Sequence, residues 1–165
     1  MKKIILILMV LALGFGTGFR NNDWGTTMSE INESAELHDK NENTLMYKSE
    51  LGNEDIFVLY YFYNNKLWKG IIHADVSETF YQYLKELVTI RHGQGDEAVY
   101  DSEYNNYATL KQNYKYGWLM KHTKWQVEDT VIELIAGTSI ILSFYHDPTK
   151  ELIEREKKAQ DLQSF

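Results

Sequence analysis

Five histidines and 24 carboxylate side chains hold most of the acid–base potential of a 165-residue chain that has no cysteine. His73 and Asp75 stand two apart in an apolar run, so they share one strand face, a spacing suited to metal ligation or proton transfer. Catalytic zinc needs a third protein ligand and the sequence nominates none, so a surface pair at a strand end accounts for these two. His92 closes an amphipathic stretch, where a helix dipole favours it, and His146-Asp147 reads as a turn and a helix cap. His38 and His122 are isolated among polar residues. Thiol catalysis and a cysteine-based metal site are excluded outright. The chain has no nucleophile-elbow Gly-x-Ser-x-Gly, no phosphate-binding glycine loop and no helical His-Glu-x-x-His. Paired carboxylates for glycoside hydrolysis are compatible with so acidic a chain, but no pair stands out.

Aromatic residues offer a second kind of chemistry, which is stacking. Phe57, Tyr61 and Trp68 lie in one apolar hairpin, and Tyr104 and Tyr107 belong to a tyrosine-rich stretch with Tyr100, Tyr114 and Tyr116. A tyrosine ring is flat and apolar with a hydrogen-bonding tip, so these five are the candidate binding surface. The stretch from Gln94 to Tyr116 reads either as a long connection pinned by half-buried rings, the favoured reading, or as the wall of a carbohydrate or peptide cleft.

These side chains depend on the elements that hold them. Asp55 to Asp75 reads as a β-hairpin turning on Asn64-Asn65, because asparagine tolerates the positive φ of a tight turn. A two-residue loop would place Phe62 opposite Leu67, Tyr60 opposite Lys69 and Val58 opposite Ile71 on one face. Tyr61 would then meet Trp68, Leu59 would meet Gly70 and Phe57 would meet Ile72 on the other. A second hairpin, Thr130 to Ala136 and Ser139 to Tyr145, turns on Gly137-Thr138 as a type II′ loop. In that register Ile132, Leu134, Ile141 and Tyr145 share one face, and Val131, Ile135, Ile140 and Phe144 the other. Both hairpins are apolar on both faces, so the sheet is either covered twice or presents an aromatic surface to a partner.

Helices complete the plan. Phe80, Tyr83, Leu84, Leu87 and Val88 recur at helical spacing between a Ser77 cap and Gly93. Thr27 and Glu30 form a capping box, and a helix of about ten residues is expected from Met28, with Trp24 packed on the sheet just before it. His38 to Thr44 reads as a loop and Leu45 to Leu51 as a first strand. Asp147-Pro148 opens a charged final helix with a thin apolar stripe. The expected class is α+β: an antiparallel sheet of about six strands in α-β-β-β-α-β-β-β order, with helices packed on one face and a charged C-terminal helix.

Lys2-Lys3 followed by an apolar run from Ile4 to Gly16 reads as a signal peptide over 1–18, cut near Gly16 or Gly18. A single domain over 19–147 and a charged helix over 148–165 follow. The run is shorter than the ~20 residues a membrane-spanning helix needs, so membrane contact is expected only through this segment. The net charge is −7, and −9 without the two leader lysines, since 15 basic residues then face 24 acidic ones. Such a surface repels phosphate backbones, so no nucleic-acid partner is expected, and no cofactor is implied.

Several of these segments together resemble a known kind of protein. Phe19-Arg20 followed by Trp24-Gly25, the hairpin YYFYNNKLWKG, a helix ending His92-Gly93, Trp125 with Asp129-Thr130 and alternating Ile132 and Leu134, and a charged tail ending in Phe165 are similar to a family of small uncharacterised exported bacterial proteins. That kind of protein usually has Tyr-Gly where this chain has His92-Gly93. The resemblance implies export and one compact domain, and it carries no catalytic residue. The functional expectation is an exported, non-catalytic binding or interaction protein of the bacterial envelope or exterior. Its partner would be another envelope protein, a glycan or a second copy of itself. The alternative is a small glycan or cell-wall hydrolase with a carboxylate pair in a Tyr-lined cleft.

Overall fold

The Asn64-Asn65 turn forms as its residues dictate: both asparagines take positive φ, 50° and 58°, and join β5 (Glu54–Tyr63) to β6 (Lys66–Asp75). Around that hairpin the computed structural model describes residues 18–100 and 120–163. The expected signal segment up to residue 17, Tyr104, Tyr107, Tyr114, Tyr116, Trp118, Leu119 and Phe165 lie outside them.

Eight strands form one sheet in the order β3-β4-β5-β6-β10-β9-β8-β7, with every neighbour antiparallel. The additional strands are β3 (Glu36–Lys40), β4 (Thr44–Leu51), β7 (Asp96–Tyr100), β8 (Met120–Val127), β9 (Thr130–Ala136) and β10 (Ser139–His146). Two four-stranded meanders therefore meet at β6 and β10, rather than the two three-stranded units expected. The extra strands are the two edges. Residues 38–40, expected in a loop, belong to β3, whose five residues are all exposed. Polar composition reads as loop, yet charged residues suit an edge strand, where they discourage pairing with other chains.

Register departs from expectation in both hairpins, each time by one residue. In the first, Phe62 does pair with Leu67, but a bulge follows, and Tyr61 pairs with Lys69, Tyr60 with Gly70 and Val58 with Ile72. The extra residue is Trp68. Its cause is visible in the backbone: the Leu67 amide donates to Thr26 O at 2.8 Å and Leu67 O accepts from the Gly25 amide at 2.9 Å. An N-terminal segment thus takes the edge of β6 beyond the end of β10, and the strand bends there. In the second hairpin, pairing ends at Ala136↔Ile140, so Gly137, Thr138 and Ser139 turn the corner, and the two-residue type II′ loop is not formed.

These slips sort the apolar residues. Ile56, Val58, Tyr60, Phe62, Leu67, Ile72, Ala74, Ile132, Leu134, Ala136, Ile140, Leu142 and Phe144 are all buried and gather on a single face. Helix α1 (Glu78–His92) covers part of that face with Phe80, Tyr81, Leu84, Leu87 and Val88, and the Tyr81 hydroxyl meets Thr123 Oγ1 at 3.0 Å. Ser77 Oγ accepts from the Phe80 amide, and Gly93, at φ 82°, closes the helix with its amide on Thr89 O.

The N-terminal segment covers a further part of it. Strands β1 (Gly18–Phe19) and β2 (Asn22–Asp23) pair with each other, and Trp24 packs against the core with its indole N–H donating to Thr130 Oγ1 at 2.8 Å. Glu30 accepts from the Thr27 amide and hydroxyl, but only one turn of 3₁₀ helix follows, Met28–Glu30, and not the ten-residue helix expected. Beyond it the chain must reach Glu33, whose carboxylate accepts two hydrogen bonds from Arg20, at 3.0 and 3.3 Å, and one from the buried Tyr60 hydroxyl at 2.7 Å. That tie offers more than the thin apolar stripe of residues 28–37 can.

Candidate functional site

The other face of the sheet carries Phe57, Leu59, Tyr61 and Tyr63 from β5, Trp68, Lys69, Ile71 and His73 from β6, and Ile141, Ser143 and Tyr145 from β10. Most are partly buried and none is fully exposed. Of the expected binding residues, the structure brings Phe57, Tyr61 and Trp68 to this face. Tyr104 and Tyr107 lie outside the described residues. Phe57 stands beside the His38 ring, with centroids 5.3 Å apart, so β3 shelters that end. Tyr61 and Trp68 do not face each other across the strands as a two-residue loop would require. The bulge puts Lys69 opposite Tyr61 instead, with its ammonium 5.7 Å from the Tyr61 ring centre and 6.0 Å from that of Trp68.

Lys69 is thus framed by aromatic rings, and it also pairs with Tyr145 on its other side. Burial pulls its ammonium below the ordinary lysine range, the Glu133 carboxylate on the same face opposes that shift, and Lys150 adds to it. Among the described residues Lys69 makes no ion pair. Glu133 lies instead 3.7 Å from His122 Nε2, so His122 is not isolated as its sequence neighbours suggest.

Helix α2 (Asp147–Gln163) touches this face lightly. Lys150 lies over the Tyr145 ring at 4.5 Å and donates to its hydroxyl at 3.3 Å, and the Tyr63 hydroxyl donates to Glu156. Lys150 and Glu156 are six residues apart, about 9 Å along a helix. Strands β10 and β5 are two spacings apart, about 10 Å. The helix therefore crosses the strand ends over β6 with a charged underside. Between residues 151 and 161 only Ile153 is partly buried, and Leu152 is 46% exposed. This is a strap, and the aromatic–lysine cluster beside it is held by the sheet.

The remaining expectations concern chemistry. His73 and Asp75 share this face as their spacing requires, but His73 is paired with Phe57 and Ile141. No group of three or more metal-ligating side chains occurs among the described residues. His146 Nδ1 meets Thr149 Oγ1 at 2.7 Å across the start of α2, which begins at Asp147, so Asp147 stands in the first turn and not at the cap expected of it. Sequence reasoning missed Lys69, Glu133, Tyr145 and Lys150 as neighbours. One signal was present: Lys69 and Glu133 are charges set among apolar residues in mid-strand.

No family model, curated protein or solved structure matches the chain.

Proposed function

We propose that this chain is an exported, non-catalytic binding protein of the bacterial envelope or exterior, and that it binds a glycan through the face bearing Tyr61, Trp68 and Lys69. One observation carries the reading: two aromatic rings flank an ammonium that has no ion pair among the described residues. Sugar rings present apolar C–H faces that stack on tryptophan and tyrosine, and hydroxyls or an isolated carboxylate that accept from an ammonium. A surplus of lysines would suit a polyanion, but the net charge of −7 works against one. A sugar chain with at most scattered carboxylates therefore fits best.

Calorimetric titration of the purified exported chain with neutral and uronate-containing cell-wall oligosaccharides tests this. Saturable binding that Trp68→Ala weakens at least tenfold, with the fold intact by circular dichroism, is the expected result. Absence of binding to every oligosaccharide, or binding indifferent to Trp68→Ala and Lys69→Met alike, overturns it. A concentration-dependent dimer that buries Trp68 overturns the glycan reading in favour of self-association.

A further inference from the structure

Two half-buried lysines border a single ring beside Tyr61 and Trp68. Lys69 stands directly opposite Tyr145 in the β6–β10 ladder, which sets their Cβ atoms about 4.5–5.5 Å apart on one face. Lys150, in the first turn of α2, lies 4.5 Å from the centre of the same ring and donates to its hydroxyl at 3.3 Å. Neither ammonium makes an ion pair among the described residues, although the chain holds 24 carboxylates. Glu133 shares the face, but its carboxylate is turned to His122 Nε2 at 3.7 Å. Burial and then Lys150 disfavour the Lys69 ammonium, and Glu133 offsets them only in part. The pair therefore lacks an anion.

We propose that Lys69 and Lys150 together hold one carboxylate of an acidic sugar residue whose ring stacks on Trp68, so that this face selects uronate-bearing chains over neutral ones. The inference rests on the glycan reading and narrows its ligand. A carboxylate has two acceptor oxygens, and each lysine has three N–H donors, of which Tyr145 takes one from Lys150. Charge-assisted hydrogen bonds from both ammoniums would supply the missing counter-charge where water is partly excluded. Glu133 on the sheet and Glu154 on the helix lie within electrostatic reach of Lys150, so a second negative charge on the same sugar would meet carboxylates. This favours a carboxylate over a phosphate monoester. Lys150 belongs to the strap, so α2 contributes to recognition as well as crossing the strand ends.

The test titrates the full exported chain calorimetrically with a uronate-containing oligosaccharide and with the same oligosaccharide after its carboxyls are reduced to alcohols. The acidic form is expected to bind about tenfold more tightly or better, the worth of a hydrogen bond to a charged group. Lys69→Met and Lys150→Met should each remove that preference, with the fold intact by circular dichroism. Lys150→Arg should keep it, and Trp68→Ala should weaken both ligands alike. Equal affinity for the two forms overturns acid selection and leaves the glycan reading standing, whereas binding of neither form overturns both. A preference that survives in the Lys69→Met/Lys150→Met double variant overturns the assignment to these lysines. Tighter binding of a sugar phosphate than of the uronate overturns the choice of a carboxylate.

Discussion

The ring of Phe19 lies on the α-carbon of Gly70, so close that a Cβ on residue 70 would stand 2.0 Å from Phe19 Cδ1. Gly70 pairs with Tyr60 on one side and Phe144 on the other, and both rings pack against Phe19, at centroid distances of 5.2 and 5.4 Å. A glycine in mid-strand ordinarily weakens a sheet, and here it makes the socket for the N-terminal segment.

Gly70→Ala is therefore expected to expel the Phe19 ring at a cost of about 1–3 kcal/mol, and Phe19→Ala to cost about 3–5 kcal/mol through the cavity it leaves. The two should not add. In the double variant the new methyl enters space already vacated, so its loss falls short of the sum by about 1 kcal/mol or more. Urea unfolding of the four proteins measures this cycle, and strict additivity would contradict the contact.

Arg20 is predicted to be worth more than a surface ion pair, because the Glu33 side chain it holds is only 6% exposed. Arg20→Ala leaves that carboxylate without its cation and should cost about 3–5 kcal/mol. Adding Glu33→Gln in the same chain should recover part of the loss, since the stranded charge is then gone. A loss under about 1 kcal/mol by chemical denaturation would place the pair among exposed ones.

Lys69→Met should separate stability from binding. Burial disfavours the Lys69 ammonium, so removing the charge is expected to raise the thermal midpoint by a few degrees, at about 2–4 °C per kcal/mol for a chain of this size. The same change should weaken glycan binding. Differential scanning calorimetry beside the titration reads both, and a lowered midpoint would show that the ammonium is stabilising where it stands.

His92 should make stability depend on pH. Burial, with Arg91 adjoining, holds its imidazole below the ordinary histidine value, so the unfolded chain takes up a proton that the folded chain refuses. The stabilisation is complete above about pH 6.5 and is lost as pH falls through the depressed folded value. Thermal midpoints measured from pH 5 to 7.5 should rise more steeply for the native chain than for His92→Gln. Parallel curves would place His92 in water.

Much of the architecture is legible along the chain because it depends on local chemistry. Asn64-Asn65 dictates a turn, Ser77 and Gly93 bound a helix whose apolar residues recur at its own period, and Asp147-Pro148 starts another. The antiparallel class follows from short connections between apolar runs. Side-chain facing is not local in this way. Period 2 alternation gives two equivalent answers, and the choice between them at Trp68 rests on Gly25 and Thr26, some 40 residues earlier, claiming the edge of β6.

That is why the candidate surface is only half visible in the sequence. Phe57, Tyr61 and Trp68 are recognisable as aromatic residues in a hairpin from their types alone, and the absence of cysteine rules out thiol chemistry. The placement of Lys69 opposite Tyr61, of Glu133 near it and of Lys150 above Tyr145 comes from a bulge, a three-residue loop and a helix crossing two strands. Each of these is set by backbone groups that meet only when distant segments pack. Residue types determine which chemistry is available to this chain, and tertiary pairing decides which side chains share a face, because a one-residue shift in register moves every side chain of a strand to the opposite side.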